Sequence, residues 1–174
     1  VEHLITKHPQ DVSANGGYYV RPLAAALARE HFQTADLLRH NGADLHVQGR
    51  SERNPLHGAA YSGNFEVVQI IIGYDPAFIN AGIAGGEDGL TPLFWASDGL
   101  HFTDGSILRL LLYRGADINI QSENGWVPLH CASLNGALEI ARLLLEHGAD
   151  VEAKDNDGET ALQVTANRGY DEVV

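Results

Sequence analysis

The stretch VPLHCASLNGALEIARLLLEHGAD, residues 127–150, reads as two short helices and a turn. Pro128 suits a first helical position, where the missing N–H has no partner to lose. Small residues follow at Ala132 and Ser133. Gly136 can end the first helix with positive φ, and Gly148 the second. Between them, Ile140, Leu143 and Leu144 fall on one face of a 3.6-residue period. Neither helix is long enough to be stable alone, so each needs a neighbour to pack against.

Those neighbours are copies of the same pattern. RPLAAALAREHFQTADLLRHNGAD starts at Arg21, NPLHGAAYSGNFEVVQIII at Asn54, TPLFWASDGL at Thr91 and TALQVTANRGYDEVV at Thr160. With Val127, the starts are spaced by 33, 37, 36 and 33 residues. Gly-Ala-Asp recurs at Gly42, Gly115 and Gly148. A fixed period of this length means stacked repeats whose core forms only between layers. Pro22, Pro55 and Pro92 repeat the helix start. Thr91, Thr160 and Asn54 stand as N-caps, and Gly63 matches Gly136. In the second repeat Val67, Ile70 and Ile71 carry the apolar face.

The pattern resembles the ankyrin repeat over essentially the whole chain. The family's motif is a Thr-Pro-Leu-His start, paired small residues, a glycine turn, a leucine-rich helix and Gly-Ala-Asp. The resemblance implies an all-α solenoid of stacked helix-turn-helix units with projecting β-hairpin fingers. Four complete repeats are expected, at 21–53, 54–90, 91–126 and 127–159. Partial repeats at 1–20 and 160–174 suggest a piece of a longer array. Residues 16–49 also resemble ankyrin arrays at the ends of fungal NACHT-type receptor-like proteins. Departures from the motif fall at Arg21 and Val127, where a capping threonine is usual; valine accepts no N–H, at an expected cost of about 1 kcal/mol. Ala24 and Phe94 replace the motif's histidine and forgo its hydrogen bond to neighbouring backbone.

Composition narrows the functional classes. Net charge is −12, from 23 acidic and 11 basic residues. Such a field repels phosphate backbones and anionic membrane surfaces. Hydrophobic content of 44% is that of a folded domain, with no apolar run approaching a membrane span. One cysteine makes no internal disulfide, so cytoplasm or nucleus is the expected location.

Candidate chemistry meets a structural reading each time. His130 and Cys131 are adjacent on a helix and do not face each other, so they are not a nucleophile and base by themselves. His57 and His130 lie two repeats apart, too far for one zinc. Asp44, Asp117 and Asp150 recur at turns, where a carboxylate bonds nearby backbone. AGIAGGEDG (81–89) lacks the lysine of a phosphate loop and is read as an enlarged finger. DGLHFTDGS (98–106) lengthens the turn between the helices of the third repeat, with Asp104 or Ser106 the expected cap. LYRGADIN (112–119) resembles the hairpin sequence recognised by the asparagine hydroxylase that modifies ankyrin arrays, though the turn needs the same residues. No catalytic residue, metal or cofactor is expected.

The resemblance implies a protein-interaction module that presents a rigid concave groove to a protein or peptide, as a monomer. Finger tips and exposed first-helix positions would line it. The finger positions are Gly17, Tyr18, Val20, Arg50, Ser51, Arg53, Glu87, Asp88, Leu90, Glu123, Asn124, Trp126, Asn156, Asp157 and Glu159, and the first-helix positions are Ala28, Arg29, Tyr61, Ser62, Asp98, Leu134 and Asn135. Aromatics and arginines dominate binding hot spots, which singles out Tyr18, Arg50, Arg53, Tyr61, Trp95 and Trp126, with Leu134 beside them. Trp95 is either core or concave surface; Trp126 is expected to be exposed. The alternatives are an architectural spacer, or a ligand or metal site in the insertions of repeats two and three.

Overall fold

The computed structural model describes residues 22–45, 54–83, 89–99 and 104–168. Tyr18, Arg50 and Arg53, the partial repeat at 1–20, the last residues of the chain from 169 on, and the middle of both insertions lie outside these. The chain divides into two compact units, Val1–Gly49 and Arg50–Val174.

In the first unit, α1 (Pro22–Ala28) packs on α2 (Phe32–His40). Leu23, Ala26 and Leu27 meet Ala35 and Leu38 in its core. The turn between the helices is left-handed at Glu30, φ 59°. Gly63 and Gly136 stand at the corresponding position after helices Pro55–Ser62 and Pro128–Leu134, φ 71° and 64°. A side chain there costs roughly 1 kcal/mol or more.

The second unit holds α3 (Pro55–Ser62), α4 (Phe65–Tyr74), α5 (Pro92–Ser97), α6 (Ser106–Tyr113), α7 (Pro128–Leu134), α8 (Leu138–Glu146) and α9 (Ala161–Arg168). Prolines open α3, α5 and α7 as the motif requires. First helices stack in the order α3, α5, α7, α9, and α4 packs on α6. The second helices supply the apolar layers: Val67, Val68, Ile71 and Ile72 from α4, Ile107, Leu108, Leu110 and Leu111 from α6, Ile140, Ala141, Leu143 and Leu144 from α8. Ile70 is only half-buried; Val68 and Ile72 take the inward places instead.

Caps follow local chemistry. Asn54 Oδ1 accepts from the N–H groups of Leu56 (2.9 Å) and His57 (3.2 Å). Thr160 and Gln163 form a reciprocal pair: Thr160 N–H donates to Gln163 Oε1 at 2.8 Å, and Thr160 Oγ1 accepts from Gln163 N–H at 3.4 Å. Thr91 departs from expectation. Its hydroxyl caps nothing and is buried without a hydrogen-bond partner. Of the two candidates at α6, Asp104 is the one that bonds, accepting from Ser106 N–H at 3.0 Å. Gly105, with φ 67°, precedes that helix; a Cβ there would run into Leu143 Cδ1. The lengthened turn is thus seated on α8 at its far end.

The turns after the second helices are tied by side chains. Asp117 Oδ1 accepts from Asn119 N–H (3.0 Å) and Asp150 Oδ1 from Glu152 N–H (2.9 Å). Asparagines connect successive turns. Asn80 Oδ1 accepts from Asp117 N–H (2.8 Å), and Asn119 Oδ1 from Asp150 N–H (2.9 Å). Asn119 is therefore a rung between layers. After α4 the chain makes a 3-10 turn, Pro76–Asn80, that buries Phe78 and Ile79; the repeat pattern gave no sign of it. Among the described residues there is no regular strand, and one antiparallel bridge joins Lys154 to Thr160.

Two substitutions test these backbone and cap readings. Thr91→Val, which copies Val127, is expected to leave stability unchanged or raise it, because the buried hydroxyl makes no bond. A loss near 1 kcal/mol in urea unfolding would show that Thr91 caps α5 after all. Glu30→Gly is expected to stabilise by about 1 kcal/mol, read in the same experiment.

Candidate partner-binding groove

The fingers and the first helices meet through imidazoles. His57 Nε2 donates to Leu90 O at 2.9 Å, and His130 Nε2 donates to Glu159 O at 3.1 Å. Both rings are buried. His130 Nδ1 also accepts from Val127 N–H at 3.2 Å, which places the ring proton on Nε2. Val127 offers no side-chain cap, and its own N–H is held by His130 instead.

The finger at 122–126 is a tight turn. Ser122 N–H donates to Trp126 O (2.8 Å), Gly125 N–H to Ser122 O (2.9 Å), and Trp126 N–H to Ser122 Oγ (3.1 Å). The next finger closes on Asp155, whose Oδ1 accepts from Asp157 N–H (3.0 Å) and Glu159 N–H (2.8 Å). Asn156 bridges the two, donating N–H to Asn124 O at 3.0 Å and Nδ2–H to Glu123 O at 2.9 Å. Trp126 Nε1 donates to Asp155 Oδ2 at 3.2 Å. One finger is thereby preorganised by the following one.

Between this finger and α5 and α7 lies a groove of about 230 Å³. Leu90, Ser122, Asn124 and Trp126 line it from the finger side, and Phe94, Trp95, Asp98 and Cys131 from the helices. Its walls are mostly apolar. The Trp126 indole stacks on the His130 ring, centroids 6.0 Å apart at 22°. Trp95 meets Tyr61 edge to face, 5.4 Å and 88°.

The two tryptophans singled out from the sequence therefore face one groove. Trp126 is half-buried rather than exposed, because Asp155 and His130 hold it down. Trp95 is also half-buried, part of the groove wall. Tyr61 is 39% exposed and supports Trp95. Leu134 is half-buried at the end of α7 and does not line the groove. Leu90, Asp98 and Asn124 lie where finger and first-helix positions were expected to converge. Sequence reasoning missed Phe94, Ser122 and Cys131. The signal for Phe94 was present: it is the aromatic that replaces the motif histidine.

Cys131 donates weakly to Phe94 O, with Sγ 3.7 Å away. Burial, and secondarily the Asp98 carboxylate, push its thiol up from 9.0 to about 12. Cys131 is half-buried by exposed area, and a thiol held protonated is a weak nucleophile at neutral pH. Among the described residues no three histidine, cysteine or carboxylate side chains cluster as metal ligands. No helix among them is long and apolar enough to cross a membrane.

A profile of ankyrin repeats in three copies matches residues 23–119 and 101–174. The chain belongs to the ankyrin-repeat family. Over 94 residues, 53% of this chain, it is 32% identical to transient receptor potential cation channel subfamily A member 1 of Homo sapiens. That stretch is 8% of the channel protein, so this chain corresponds to a small part of it. Neither match bears on the likeness of residues 16–49 to fungal NACHT-type arrays. Ankyrin repeats are in general protein–protein interaction modules, and the family is typically non-enzymatic.

The raised thiol pKa gives a pH prediction. The folded state keeps the Cys131 proton above pH 9.0, where the unfolded chain releases it. The stability this contributes is intact below pH 9.0 and is lost progressively as pH rises towards about 12. Iodoacetamide is expected to leave the native protein unmodified at pH 8 and to alkylate it rapidly in urea. Cys131→Ala is expected to flatten the alkaline decline in stability; rapid native alkylation at pH 8 would refute the burial argument.

Proposed function

We propose that the groove between the 122–126 finger and helices α5 and α7 receives an extended segment of a protein partner. The observation that supports this is the convergence of both tryptophans on one apolar concavity with a polar rim. A pocket of that kind, rather than a flat surface, concentrates binding energy in a few aromatic side chains. The fingers are fixed by backbone and asparagine bonds before any partner arrives, which reduces the ordering cost of association. The acidic balance supports a polypeptide over a nucleic acid. In this reading the repeats run 54–90, 91–126 and 127–159, and the groove belongs to the third and fourth. Tyr61 contributes by holding Trp95. An architectural spacer would have no use for the concavity.

The test is peptide selection on the full chain, from a random twelve-residue library, followed by titration of selected peptides against variants. Trp126→Ala and Trp95→Ala are each expected to weaken binding by about 30-fold, the scale of a hot-spot residue. Leu162→Ala, at an exposed position on α9, should change it little. Circular dichroism confirms that each variant is folded. Selected peptides that bind both tryptophan variants as tightly as the parent would remove the groove from consideration.

A further inference from the structure

Resting on the reading of this groove as a partner site, we propose that it takes a phenylalanine ring of the partner, carried on a segment with basic residues on either side of the ring. The lining argues for an apolar occupant. Leu90, Phe94, Trp95 and Trp126 are among the eight described residues that form it. Its polar groups are already engaged. Ser122 Oγ accepts from Trp126 N–H, Trp126 Nε1–H donates to Asp155, and the Cys131 thiol donates to Phe94 O. Asp98 and Asn124 hold interactions of their own, and Trp95 Nε1 is buried beneath the surface. A polar group entering this groove would give up water for little return. An apolar group loses nothing and displaces water from apolar walls.

Size and geometry narrow the occupant further. A volume of about 230 Å³ falls below the roughly 300–1,000 Å³ of small-molecule sites and suits one large side chain. Aromatic pairs gain more than their buried area, so a ring suits walls of two indoles and a phenyl better than an aliphatic chain does. Those walls are fixed beforehand, Trp126 by its stack on His130 and Trp95 by its edge contact with Tyr61. Tyrosine would bring a hydroxyl into a groove whose polar groups are engaged, which leaves phenylalanine. The basic flanks follow from charge. The fingers at 122–126 and 155–159 contain Glu123, Asp155, Asp157 and Glu159 and no lysine or arginine. Glu123 and Asp157 are exposed, on fingers that Asn156 ties together. A segment lying along these tips meets negative charge, which attracts lysine or arginine beside the ring and repels acids.

Both tryptophans of the chain line the groove, so their emission reports its occupancy without a label. The full chain is titrated with capped peptides Lys-Ala-X-Ala-Lys, in which X is phenylalanine, leucine, tyrosine, arginine or alanine, and with Glu-Ala-Phe-Ala-Glu. The phenylalanine peptide with lysine flanks is expected to give a saturable change in emission. Alanine or arginine at X is expected to bind at least about 10-fold more weakly, the scale of losing one buried side chain. Tyrosine is expected to be at least about 5-fold weaker, and leucine to fall between phenylalanine and alanine. The acid-flanked peptide is expected to be at least about 5-fold weaker, with the gap closing as salt is added. Glu123→Gln with Asp157→Asn, checked for folding by thermal melt, is expected to narrow that same gap. Alanine or arginine equal to phenylalanine would overturn the apolar anchor. Tyrosine or leucine equal to it would overturn the choice of phenylalanine. Equal binding of the two flanked phenylalanine peptides would overturn the basic flanks. Failure of every peptide to bind, with library-selected peptides still captured through Trp126, would overturn the inference and spare the proposed function. Library peptides indifferent to both tryptophans would remove the groove itself.

Discussion

The structure of the second unit depends on a buried imidazole that reaches from one layer to the backbone of the next. His57 holds Leu90 O and His130 holds Glu159 O. Each of these bonds fixes a first helix, which is apolar on its flanks, to a backbone carbonyl of the finger beside it. Hydrophobic burial between helices is strong but non-directional. The hydrogen bond supplies direction, and in a buried setting it is costly to leave unmade. The stack of α3, α5, α7 and α9 sets the spacing between layers, and the imidazoles set where the fingers stand along it.

The α5 layer lacks this link, and that is where the groove lies. Phe94 occupies the histidine position and donates nothing to the finger at 122–126. That finger is held from the other side, by Asn156 and by the Asp155–Trp126 bond. Between a finger anchored outward and a helix bearing an aromatic ring, an apolar gap remains, lined by Phe94, Trp95 and Trp126. A departure from the family pattern that reads as a weak point in the sequence is, in the fold, the feature that makes a concavity.

The repeat itself was legible because it rests on short-range chemistry: proline at the helix start, glycine at positive φ, an apolar period of 3.6. The turn aspartates and the histidine bonds followed from the same motif. Other features were not legible, for reasons that can be named. Thr91 looks like a cap, yet capping depends on the rotamer the packed layer allows, and here the hydroxyl is turned into the core. Glu30 takes a left-handed conformation that its side chain resists, because the helices on either side dictate the turn. Trp126 looked like an exposed finger residue. Its burial comes from Asp155, 29 residues on, in the next finger. The groove is a product of contacts between layers, so its lining was visible only in part, through the finger and first-helix positions Leu90, Asp98 and Asn124.

The two places where the spacing exceeds 33 residues both touch that groove. Leu90 follows the first enlargement, residues 81–89, and Asp98 opens the second, residues 98–106. The second is seated at both ends: a Cβ on Gly99 would meet Ala137, and one on Gly105 would meet Leu143, both in or next to α8. An added loop with no role is most easily carried at a surface far from the repeat contacts, where it disturbs nothing. Here the described ends of the extra chain, Gly99 and Gly105, are packed against the neighbouring layer, and Asp98 borders an aromatic concavity. Seating a loop so closely restricts it to glycine at the contact points, a constraint that tolerance alone does not require.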